Sequence, residues 1–76
     1  MNMNPYDMFM PKIIACRQFR YRKDIDEVGN KVYIIQQLYY FADIAEWRTA
    51  TEDDSPIVCR TEWDANQTCR RLTKGE

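Results

Sequence analysis

Within seven residues, at 17–23, this 76-residue chain places Arg17, Arg20, Arg22 and Lys23 around the rings of Phe19 and Tyr21. Guanidinium groups pair with phosphates and aromatic rings stack on bases, so such a run on one surface would suit a nucleic acid. The same residue types anchor protein interfaces. A second group is acidic: Asp43, Glu46, Glu52, Asp53 and Asp54 stand within 43–54 against Arg48 alone. Presented on a surface, these carboxylates would meet a basic groove of a partner, where phosphates would otherwise lie. They are not read as a cation site, because adjacent acids in a polar turn lack the fixed geometry a hard cation needs.

Catalytic chemistry has little to draw on. The chain has no histidine, so the commonest general base is missing. Cys16, Cys59 and Cys69 are widely spaced, form no C-x-x-C pair and have no histidine to activate a thiolate. They read as reduced, mostly buried thiols. A zinc site would need a fourth ligand, and the chain has no histidine to offer. No glycine-rich dinucleotide loop, phosphate loop or nucleophile elbow is present. A non-enzymatic protein with no cofactor and no metal is the expectation.

These groups must be held by one small domain, since 76 residues allow no more. A formal net charge of −1 and a pI of about 5.4 give no basic field over the whole protein, the usual footprint of a nucleic-acid binder. No run of 18 apolar residues occurs, and the first residues lack the pattern of a signal peptide. The expected location is the cytoplasm.

The expected fold is α+β: a small antiparallel sheet of three to four strands with one C-terminal helix packed on one face. Residues 1–11, with Pro5 and Pro11, are expected to form an arm or a short turn, 12–60 a β-meander and 61–73 the helix. KIIACRQFRYRK is rich in strand formers and alternates over its second half. VYIIQQLYYF, dense in β-branched and aromatic residues, is the second strand. EWRTA makes a short third strand, EDDSP a polar turn, and IVCR a fourth strand or the entry to the helix. Thr61 then begins a capping pattern, with acids in the first helical turn and Arg70, Arg71 and Lys74 at the end. Ala65, Cys69 and Leu72 form its apolar stripe.

Gly29-Asn30 is one of the pairs that closes a two-residue hairpin. With these as the loop, Phe19 lies across from Tyr40, Tyr21 from Leu38, Ile25 from Ile34 and Arg20 from Tyr39. The core face is then Phe19, Tyr21, Ile25, Val32, Ile34, Leu38 and Tyr40. The open face carries Gln18, Arg20, Arg22, Tyr33, Ile35, Gln37, Tyr39 and Phe41. A one-residue slip would exchange the faces. The expected partner-binding residues are therefore Arg20, Arg22, Tyr33, Ile35, Tyr39 and Phe41, joined by Trp63 off the helix stripe and by Asp43, Glu46, Glu52, Asp53 and Asp54. Trp47 is expected to fill the helix–sheet junction.

Strand order and the helix entry T-E-x-x-A, here TEWDA at 61–65, are similar in outline to the arm-binding domains of phage integrases and related three-stranded DNA-binding domains. That resemblance implies a nucleic-acid-binding sheet as the alternative role. In size and composition the chain resembles the small inhibitors of viruses and mobile elements, anti-CRISPR proteins among them. The leading expectation is accordingly a protein-binding domain that inhibits or regulates a host complex. Its partner is a host protein rather than a membrane, and a homodimer through the open face is a further arrangement such a surface allows.

Overall fold

The long basic segment and the β-branched run after it form two extended, paired strands. The structure, a computed structural model, describes residues 13–75, so the arm or turn expected over 1–11 lies outside the described residues. Strand β1 spans Ile13–Ile25 and β2 spans Lys31–Phe41. Strand β3 spans Ile44–Thr49, followed by the short strands β4 (Thr51–Glu52), β5 (Ser55–Pro56) and β6 (Val58–Cys59) and by helix α1 (Glu62–Thr73). The sheet is antiparallel with order β1-β2-β3, so β2 is central. Helix α1 packs against β1 and β2, giving an α+β fold.

β3 and β6 are two pieces of one interrupted strand beside β2. The Ile35 carbonyl accepts from the Ala50 amide at 2.8 Å, while the Ile35 amide donates to the Ile57 carbonyl at 3.0 Å. Ile57 N–H closes the gap by donating to the Ala50 carbonyl at 2.9 Å. Residues 51–56 leave the ladder between these points as a small hairpin, β4–β5. Its two turn residues, Asp53 and Asp54, have φ values of 52° and 63°, as a type I′ turn requires.

The β1–β2 connection differs from the two-residue loop expected at Gly29-Asn30. Ile25 pairs with Lys31, which leaves five residues, 26–30, between the strands. Asp26 begins a type I turn: its carbonyl accepts from Gly29 N–H at 3.1 Å, and its own N–H donates to the Asn30 carbonyl at 2.9 Å. Its carboxylate oxygen Oδ1 accepts from the amides of Val28 (3.0 Å) and Asn30 (2.8 Å). Gly29 takes φ 89°, the left-handed position of a G1 bulge. Phe19 consequently lies across from Gln37, Arg20 from Gln36 and Tyr21 from Ile35. The shift is an odd number of residues, so β2 turns over relative to the expected faces while β1 does not.

The helix-side face carries Phe19, Tyr21, Tyr33 and Ile35, beneath Ala65, Cys69 and Leu72. Ile35 and Ala65 are 0% exposed and Ala50 is nearly so. Small residues at 50 and 65 let the helix sit close over Ile35, and Phe19, Tyr21, Tyr33, Ile57, Cys59, Cys69 and Leu72 form the rim. The apolar stripe read for the helix is the one that faces the sheet. Thr61 caps it, its Oγ1 accepting from Asp64 N–H at 3.1 Å.

Candidate functional site

Antiparallel pairing places directly opposed residues on the same face, so the register sorts every side chain. The face opposite helix α1, helix-free among the described residues, has Ile14, Tyr40 and Ala45 in one row. Leu38 and Trp47 pair in the next, then Arg20, Gln36 and Thr49, then Arg22, Ile34 and Val58. At its centre the Arg20 guanidinium lies 4.3 Å from the centroid of the Trp47 ring. These two residues sit on opposite sides of β2 and lean toward each other over it. Arg20 Nε also donates to Gln36 Oε1 at 2.8 Å. This bridge accounts for the burial of Gln36 and Leu38 on a face that helix α1 does not cover. A guanidinium held on an indole face gains from the ring quadrupole, by about 0.5–2 kcal/mol depending on desolvation.

The basic run of 17–23 is therefore divided, not pooled. Arg17 lies at the end of helix α1, where a Cβ built on Gly75 would come within 3.1 Å of its Nη1. A cation there meets the negative end of the helix dipole. Arg20 stacks on Trp47. Arg22 pairs with Asp24 at 3.1 Å. Lys23 stands on the helix-side face in line with Tyr33 and Cys59. A bulge between Ala15 and Phe19 separates Arg17 from the others, and Gln37 Nε2 donates to the Cys16 carbonyl there at 3.1 Å.

Of the residues expected to meet a partner, Arg20 and Arg22 do lie on the helix-free face. Tyr33 and Ile35 do not: they lie under the helix, because the five-residue loop turns β2 over. Ile35, fully buried, is withdrawn from any partner. Tyr39 is on the helix-side face, with Arg48 5.5 Å from its ring centroid. Phe41 is on that same face at the sheet end, in a row with Ile13 and Ile44, all three exposed. Tyr40, expected in the core, is exposed on the helix-free face instead. Trp47 leaves the helix–sheet junction for that face too. Trp63 is 69% exposed on the first turn of α1, away from the stripe that packs.

The acids do not converge. Asp43 is in the β2–β3 turn, and Glu46 pairs with Arg48 at 3.1 Å along β3. Glu52 reaches Arg71 at 3.6 Å, and Asp53 and Asp54 are the turn of the small hairpin. Among the described residues no group of three or more His, Cys, Asp or Glu side chains is placed to hold a metal ion. Among the described residues two groups titrate away from their ordinary values. Tyr21 Oη donates to Glu62 Oε1 at 2.6 Å, and this bond to a carboxylate, helped by desolvation, raises the phenol. Burial, with Cys59 nearby, pushes the Cys69 thiol up. A raised thiol pKa lowers the thiolate fraction, the opposite of what a nucleophile needs.

The residues missed by sequence reasoning are Gln36, Tyr40 and Trp47. The signal that would have found them was in DEVGN: aspartate at the first and glycine at the fourth position of a type I turn. Among the described residues no helix is long and apolar enough to cross a membrane. No protein-family model, no curated protein and no solved structure matches this chain.

Proposed function

We propose that the chain is a non-enzymatic binding domain whose helix-free sheet face docks a partner protein, and that it inhibits or regulates the complex it joins. The observation that carries this is the Arg20–Trp47 stack, with Tyr40 on the same exposed face. Arg, Trp and Tyr are the residue types that dominate interface energetics, and here Arg20 and Trp47 are held against each other before any partner arrives. Ile14, Ile34 and Val58 lie on the same face, and Leu38 is buried between the strands that carry the stack.

A nucleic-acid role is the second reading, and Arg20 and Arg22 sharing that face favour it. The division of the basic run weighs against it, since Arg17 lies at the C-terminal end of the helix and Arg22 is paired with Asp24.

The experiment is capture from host lysate by the intact chain, with and without nuclease, beside Arg20→Ala, Trp47→Ala and Trp63→Ala. Thermal melting confirms that each variant folds. The sheet-face variants are expected to lose a nuclease-resistant partner, each by about 2 kcal/mol or more as hot-spot truncations do. Trp63→Ala is expected to retain it. Capture that disappears with nuclease supports the second reading. Full retention by folded Trp47→Ala removes the sheet face from the function.

A further inference from the structure

The sheet has two open edges among the described residues, the outer side of β1 and the outer side of β3. An unpaired edge offers a row of backbone donors and acceptors to another strand, and natural proteins blunt it or use it. The two edges differ in charge order. β1 carries Arg17, Arg20, Arg22 and Lys23, so pairing it with a second β1 brings cations against cations.

β3 reads Ile44-Ala45-Glu46-Trp47-Arg48-Thr49, and its charges mirror about Trp47. Aligned antiparallel on a second β3 with Trp47 opposite Trp47, each Glu46 faces Arg48 of the second copy and each Arg48 faces Glu46 of the second copy. Ala45 faces Thr49 of the second copy. Antiparallel pairing about a two-fold axis perpendicular to the sheet keeps both helix-free faces on one side. We propose that the β3 edge is a homodimer interface, closing two three-stranded sheets into one six-stranded sheet.

The edge is accessible. Glu46 and Arg48 are about half exposed and Ile44 is 65% exposed. The bond between Glu46 and Arg48 within one chain is a surface pair, which exchanges at little cost for the same bond across the axis. The β4–β5 hairpin does not run along this edge: Glu52 reaches Arg71, so the hairpin folds toward the helix layer. The two Trp47 rings would meet at the axis, and the Arg20–Trp47 stack would continue across it onto the second copy. This inference does not rest on the partner-binding role proposed above.

The experiment is sedimentation equilibrium of the full chain over the micromolar to millimolar range, with circular dichroism to confirm the fold. Wild type is expected to approach twice 9.2 kDa. Glu46→Arg and Arg48→Glu each put like charges opposite one another at two symmetric places, and each is expected to weaken association about tenfold. The double exchange Glu46→Arg/Arg48→Glu restores the alternation and is expected to return the dimer. A monomer throughout the range overturns the proposal. So does a dimer that ignores both single changes, or a double exchange no better than either one.

Discussion

Ile34 and Ile35 are chemically identical neighbours with opposite surroundings, and a pair of truncations reads which of them is core. Ile35 is 0% exposed, with Ala50 and Ala65 against it and seven larger side chains at the rim. Ile35→Ala leaves a void lined on two sides by alanines held by backbone hydrogen bonds, which have no side chain to swing in. The cost falls in the upper part of the range for isoleucine truncation, about 3–5 kcal/mol. Ile34 is half-buried on the helix-free face, across from Arg22 and Val58. Its truncation removes fewer contacts and opens no closed cavity, for a loss of about 1–2 kcal/mol. A chain of this size has roughly 4–11 kcal/mol of total stability, so the two outcomes are well separated. At about 4–8 °C per kcal/mol, Ile35→Ala should lower Tm by roughly 12–40 °C and Ile34→Ala by roughly 4–16 °C. Urea and thermal unfolding of both variants are the assay. If Ile34→Ala costs as much as Ile35→Ala or more, the register about the five-residue loop is wrong, and with it the assignment of both faces.

Ala42, at φ 54° in the β2–β3 turn, occupies a conformation an L side chain resists. Ala42→Gly should stabilise the fold by about 0.5–1 kcal/mol in urea unfolding, and a loss of stability would contradict the positive φ. The Tyr21 phenol is raised above 10.0 in the folded chain by its bond to Glu62, so the folded state holds that proton more tightly than the unfolded state does. Its contribution is whole below pH 10 and is lost as pH climbs through the raised value; Tyr21→Phe should flatten this alkaline limb of the urea midpoint, and an unchanged limb would refute the linkage.

Much of the architecture was legible in the residues themselves. Period-two alternation and β-branched density mark β1 and β2 as strands, because each residue's own sterics favour the extended backbone. Thr61, the flanking acids and the Ala65–Cys69–Leu72 spacing mark the helix and the face it buries, because caps and stripes are local. The absence of histidine and of catalytic motifs is likewise a property of composition.

What tertiary structure decided was which side of β2 meets the helix. Both sides of VYIIQQLYYF are apolar enough to pack, so alternation within the strand does not choose between them. The choice falls to the connecting loop, where Asp26 draws Val28 and Asn30 onto its carboxylate and Gly29 supplies the left-handed residue. Three residues of difference in pairing bury Ile35, put Tyr33 at the rim of the core beneath the helix and bring Tyr40 to the open face. Trp47 follows for the same reason. β3 takes its register from β2, and Arg20, two strands away, reaches the indole only because Gln36 and Leu38 lie low between them. Side chains 27 residues apart in sequence meet through two successive strand pairings, and no local pattern of either segment contains that meeting.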